Sequence, residues 1–149
     1  MTMHVHQRQA PPIAPCLGML VQLVERDPVQ LQLHRIALER AGAVVHATAS
    51  PDDVLAIASE IDVDVLVCDV ELEELDGLTL LRVLRRLRPE LVRLPAIAMS
   101  SNQDEDEIAD ALKAGFHIHA IKPIAPYDLV EMVTGVTRRS NQAVGSGRA

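Results

Sequence analysis

Short, almost uninterrupted apolar runs, separated by stretches of helical periodicity, constrain this chain more than any other feature. The runs fall at residues 19–24, 43–47, 63–68 and 96–99, with a weaker one at 118–121. Several are apolar nearly throughout, the pattern of parallel strands covered on both faces. Between them apolar residues recur at helical spacing. Val54, Ile57, Ala58 and Ile61 form one stripe, and Leu80, Val83, Leu84 and Leu87 another. Ile108, Ala111 and Leu112 form a third that Gly115 ends, and Leu129, Met132, Val133 and Val136 form the last. The segment after Pro28 uses Val29, Leu33, Ile36 and Ala37 and stops at Gly42, a suitable helix-ending residue. Start signals agree: Ser50 precedes Pro51 with Asp53 three residues on, and Asp104, Glu105, Asp106 and Glu107 place negative charge where a first helical turn favours it. Five strands alternating with five helices predict one α/β domain, a doubly wound (βα)5 parallel sheet joined by right-handed crossovers. Functional groups in such sheets gather at the carboxyl ends of the strands.

The 149 residues suit a single domain, and a 48% hydrophobic content supplies a core of ordinary size. Phe116 and Tyr127 are the only aromatics, so that core is aliphatic. With 14 basic against 21 acidic residues, the net charge of −7 argues against binding to nucleic acid or anionic lipid. No apolar run approaches the roughly 20 residues that span a bilayer, and residues 1–15 lack the apolar stretch of a signal peptide. Two cysteines suggest a reducing compartment, so a cytoplasmic location is expected. Cys16 and Cys68 are expected at opposite ends of neighbouring strands, too far apart for a disulfide. Residues 1–15 and 138–149 read as tails or linker stubs flanking a domain at 16–137.

The strand ends carry the chemistry. Glu25, Arg26 and Asp27 follow the first strand, Asp69 ends the third, Ser100 and Ser101 end the fourth, and Lys122 and Pro123 follow the fifth. A carboxylate, a hydroxyl and an ammonium converging on one rim suit phosphoryl transfer onto the carboxylate of Asp69. Lys122 and Ser100 would take the phosphoryl oxygens, with Mg²⁺ held by one or two carboxylates.

On these residues the sequence resembles the CheY-like receiver domains of bacterial two-component response regulators. The resemblance rests on VLVCD ending at Asp69, LDGLTLL at 75–81, PAIAMSS at 95–101 and AG-x5-IKP at 114–123. It implies a flavodoxin-like sheet of order 2-1-3-4-5, Asp69 as phosphoacceptor, Ser100 as switch hydroxyl and Lys122 as the phosphoryl-binding lysine. It also implies a cis peptide before Pro123 and puts the family's aromatic switch position on His119. Mg²⁺ would be held by Glu25, Asp69 and the backbone carbonyl of Glu71. The chain departs from the family at the acidic pair after the first strand, which here is Glu25-Arg26, a change that weakens metal binding or removes it. Asp27 is expected to cap the first helix instead, and Glu73 stands where many receivers have proline.

Two readings follow. In one, Asp69 takes a phosphoryl group from a histidine kinase or histidine phosphotransfer protein. A face of the fourth helix, fifth strand and fifth helix then repacks toward a downstream protein or a second copy. In the other, Arg26 pairs with Asp69 or Glu25 and fills the cation position, leaving a pseudo-receiver that works through partner binding alone. A flavodoxin-like cofactor binder is disfavoured, because no glycine- or hydroxyl-rich phosphate loop follows the first strand. His117 and His119 share a strand face but lack further ligands, and Arg82, Arg85, Arg86 and Arg88 read as a solvated helix face. His34 and His46 receive no role, and His4 and His6 fall in the N-terminal tail.

Overall fold

The computed structural model describes residues 14–58, 60 and 62–146, without the side chains of 140–146. The apolar runs form strands β1 (Leu20–Val24), β2 (Val44–Thr48), β3 (Val65–Asp69), β4 (Ala96–Ser100) and β5 (Ile118–Ile121). The helices are α1 (Pro28–Arg40), α2 (Pro51–Ile57), α3 (Gly77–Leu87), α4 (Glu105–Ala114) and α5 (Pro126–Ser146), with a short 3-10 turn at Pro89–Arg93. All pairings are parallel, in the order β2-β1-β3-β4-β5. The expected doubly wound flavodoxin-like fold is therefore present.

Strand alternation splits the core into two layers. Val21, Leu23, Val65, Val67, Ile97 and Met99 pack with Leu38, Leu129 and Val133 on the α1/α5 side. Leu66, Cys68, Ala96 and Ala98 pack with Val54, Leu80, Leu84 and Ala111 on the other. Cys16 and Cys68 are free, buried and on opposite sides of the sheet. The caps fall where the sequence puts them: Asp27 accepts from the Val29 N–H at 2.9 Å, Ser50 caps α2, and Gly115 ends α4 at φ +108°.

Three expectations fail. The α1 stripe of Val29, Leu33, Ile36 and Ala37 does not face the sheet; Val29, Leu33 and Ile36 are exposed, while His34 and Leu38 are buried. Leu87 and Leu112 likewise point outward. The segment from 138 is not a tail over its whole length, because α5 runs on to Ser146. Apolar periodicity reports a packed face rather than helicity, and it ends with Val136, the last core residue of α5 among the described side chains. His4, His6, Ile61 and residues 147–149 lie outside the described residues.

The basic face of α3 is only partly solvated. Arg82 and Arg86 are exposed, but Arg85 donates to the carbonyls of Leu91, Leu94 and Gly115 at 3.1, 3.2 and 3.3 Å. It thereby serves the end of α4 and the 3-10 turn together. Arg88 donates to the Ala58 carbonyl at 2.9 Å and pairs with Asp62 and Glu90. Arg85→Ala strands several half-buried carbonyls and is expected to cost about 2 kcal/mol in urea denaturation. A purely solvated arginine would leave the midpoint nearly unmoved.

Candidate functional site

The β1–β3 register pairs Val24 with Cys68, which sets Glu25 and Asp69 side by side one step beyond. Both carboxylates are buried, at 0% and 1% exposure. Alternation puts Glu25 on the same side as Val21 and Leu23, toward α1. Gly77 makes the loop after β3 possible: its N–H donates to the Val70 carbonyl at 2.8 Å, and a Cβ there would lie 2.2 Å from the Asp69 carbonyl oxygen. Only glycine admits so close an approach.

Asp69 is gripped from two sides. The backbone N–H of Arg26 donates to Oδ2 at 2.7 Å, and the Lys122 ammonium lies 2.6 Å from Oδ1. Lys122 also donates to Glu25 Oε2 at 2.8 Å. It follows β5, where a cis Lys122–Pro123 bond is present. Behind Glu25, His34 places Nδ1 at 3.3 Å from Oε1, while its Nε2 donates to the Ile124 carbonyl at 3.0 Å. One ammonium thus joins two carboxylates, and a buried imidazole backs one of them.

These contacts separate the two acids. Burial, together with the neighbouring Glu25 carboxylate, pushes Asp69 up to about 7. Burial also works against Glu25, but the neighbouring His34 ring, Asp69 and the Lys122 ammonium outweigh it and hold Glu25 down at about 2. Burial lowers and the two carboxylates raise Lys122, with a net rise. His34 is likewise held above its ordinary value, Glu25 and the Ile124 carbonyl outweighing burial.

A cavity of about 320 Å³ opens over Asp69, bordered by Arg26, Asp27, Glu71, Ser100 and Lys122. Glu25 is not on its wall. The guanidinium of Arg26 takes neither Asp69 nor Glu25; it points outward, 3.9 Å from Glu73. The pairing of Arg26 within the acidic pocket, on which the pseudo-receiver alternative rested, is therefore not formed. Its backbone, next in line after Glu25, reaches Asp69 instead, and Lys122 supplies the cation.

The two residues expected to act as switches are placed less uniformly. Ser100 borders the cavity, yet its hydroxyl donates to Glu107 Oε1 on α4 at 3.0 Å and accepts from the Asn102 N–H at 3.0 Å. His119 lies opposite Ala98, away from the cavity wall, half-buried and with both ring nitrogens buried without a hydrogen-bond partner among the described residues. His117 is exposed, and its Nδ1 accepts from the Ala96 N–H at 3.1 Å.

Glu25, Asp69 and the Glu71 carbonyl do not fit a divalent ion in this arrangement. Mg²⁺ needs oxygens free to close an octahedron. Here both Glu25 oxygens face Lys122 and His34, and both Asp69 oxygens are engaged. Among the described residues, no group of three His, Cys, Asp or Glu side chains is placed to hold a metal. His34 and Glu107 are the members of the site that the sequence did not announce. The signal for His34 was its spacing from Leu38 and Leu31; an interior-facing helical position held a histidine.

Comparison with known proteins accords with this geometry. The family model described as the response regulator receiver domain matches residues 21–134. An uncharacterized 14.6 kDa protein from the sodA1 3′ region of Leptolyngbya boryana is 33% identical over 113 residues, 76% of this chain and 86% of that one. The transcriptional regulatory protein CseB of Streptomyces coelicolor is 35% identical over 130 residues, 86% of this chain and 53% of that protein. The chain spans about half the length of CseB and of the transcriptional regulatory protein TrcR of Mycobacterium tuberculosis. Among solved structures, a putative response regulator from Chloroflexus aurantiacus superposes with a TM-score of 0.74 at 27% identity, covering 80% of this chain and 98% of that one. No helix among the described residues is long and apolar enough to cross a membrane.

Proposed function

The chain belongs to the response regulator receiver domain family, and on that premise we propose that Asp69 is its phosphoacceptor. The observation that carries this is the grip on Asp69: a carboxylate at a strand end, bordering a cavity, with an ammonium at 2.6 Å and a backbone N–H at 2.7 Å. An Asp69 oxygen attacks phosphorus of a phosphohistidine. The P–N bond breaks, its electron pair stays on the imidazole nitrogen, and an aspartyl phosphate forms. Lys122 stands where charge gathers on the phosphoryl oxygens, and Ser100 borders the same cavity.

Receiver domains interact with histidine kinases and with downstream effectors. For this chain the donor is a histidine kinase or histidine phosphotransfer protein. The responding face is α4, β5 and α5, through which a downstream protein or a second copy would bind. The Ser100–Glu107 hydrogen bond supports that route, because a hydroxyl drawn to the phosphoryl group must release α4. His119, two residues before Ile121 on β5, occupies the switch position.

Receiver domains generally bind Mg²⁺ at the acidic pocket; in this chain that binding is weak or absent. Arg26 stands beside the cavity where the family carries a second acid, and Glu25 is sealed beneath Lys122. Arg26→Asp is expected to tighten Mg²⁺ binding, measured by calorimetry, by ~10-fold or more. Equal affinities would clear Arg26 of blame. The acceptor reading itself is tested by incubating the protein with acetyl phosphate over a Mg²⁺ series and reading the intact mass. A single phosphoryl increment is expected, and its absence throughout would refute the reading.

A further inference from the structure

We propose that His34 is a positioning residue for the acceptor site: it clamps Glu25 from beneath and, through Glu25, aims the Lys122 ammonium at Asp69. The proposal rests on the reading of Asp69 as acceptor. Glu25 is fully buried, so each of its oxygens needs a partner. Oε2 has Lys122 at 2.8 Å; Oε1 faces His34 Nδ1 at 3.3 Å, an ion-pair distance for the protonated ring, and neither of those two atoms has a hydrogen-bond partner among the described residues.

His34 is itself immobilised. It is 1% exposed, and its Nε2 donates to the Ile124 carbonyl, two residues beyond Lys122. The imidazole therefore holds the lysine segment at two points, through the backbone at Ile124 and through Glu25 at the ammonium. A histidine kept only to fill the core would gain nothing from this placement. An apolar side chain of like volume would pack against the α1/α5 layer without the cost of burying two ring nitrogens. The arrangement also explains why Glu25 is absent from the cavity wall: its outer face is taken by Lys122 and its inner face by His34.

Two variants divide the ring. His34→Asn keeps a donor where Nδ1 stands, facing Glu25; His34→Gln keeps one where Nε2 stands, facing Ile124. Two readouts apply to the full chain: the ¹⁵Nζ resonance of Lys122, and the initial rate of labelling by acetyl phosphate. With His34→Gln the resonance is expected to move toward that of a free lysine, and the rate to fall by ~10-fold or more, as misplacement of a charged group entails. With His34→Asn the resonance holds and the rate stays within ~3-fold of the parent. If the two variants behave alike, or in the reverse order, the clamp does not exist. If the parent protein takes no label, the acceptor reading falls by itself, and the Lys122 resonance alone decides for or against the clamp.

Discussion

Asp69→Asn is expected to be more stable than the parent protein by about 2 kcal/mol at and above neutral pH, while losing all labelling by acetyl phosphate. Asp69 is buried beside a second carboxylate and shares one ammonium with it. Burial first, and then Glu25, raise it from its ordinary 3.8 to about 7. A group raised in the folded state stabilises the fold while protonated. That contribution is complete below the ordinary value of 3.8 and is lost as pH climbs through about 7. The gap between variant and parent should therefore be absent near pH 4, open toward neutrality and stay level above it. Glu25 behaves oppositely. Held at about 2, it contributes above its ordinary 4.5 and loses that contribution in strong acid, in both proteins alike. Urea denaturation across this range measures the gap; a variant less stable than the parent at about pH 8 would contradict the burial argument.

Lys122→Met should do the reverse. It removes the ammonium that lies 2.8 Å from Glu25 and 2.6 Å from Asp69, leaving Glu25 with only His34 beside it and Asp69 with only the Arg26 N–H among the described residues. Removing one partner of a buried ion pair typically costs about 3–5 kcal/mol, because the remaining charge has nothing to answer it. Here the loss should be largest at about pH 8 and shrink toward pH 5, where the orphaned acids take up protons. Labelling should fall by ~100-fold, since the charge facing the phosphoryl oxygens is gone. A loss of equal size at both pH values would mean that Lys122 acts through packing rather than charge.

The surroundings of Asp69 were legible because each strand is short and its end is marked by a change of residue type. The run VLVCD stops at its first acid, and that acid is Asp69. PAIAM stops at its first hydroxyl, Ser100, and the fifth run stops at Lys122. What escaped came from elements read by apolarity alone. On α1 the apolar residues Val29, Leu33 and Ile36 drew a stripe that faces outward, while the inward positions held Leu31, His34 and Leu38. A histidine breaks a hydrophobic pattern, so the residue most bound up with Glu25 looked like an interruption. Arg85 was misread for a related reason: an arginine on an amphipathic helix counts as solvated until the carbonyls at a neighbouring helix end are seen. Arg26 shows the opposite case. Its side chain drew attention as a rival cation, yet its backbone N–H makes the contact that matters. Side-chain chemistry can be read from a sequence, whereas the direction of a main-chain donor cannot.

Locating the phosphoryl group on the labelled protein tests the central claim most directly. After reaction with acetyl phosphate, the protein is digested at low pH and its peptides are sequenced by tandem mass spectrometry. The modification should sit on Asp69 alone and vanish in Asp69→Asn. A phosphoryl group on Asp27 or Glu71, which border the same cavity, or one that survives in Asp69→Asn, would show that the clasp of Lys122 and the Arg26 amide does not mark the acceptor.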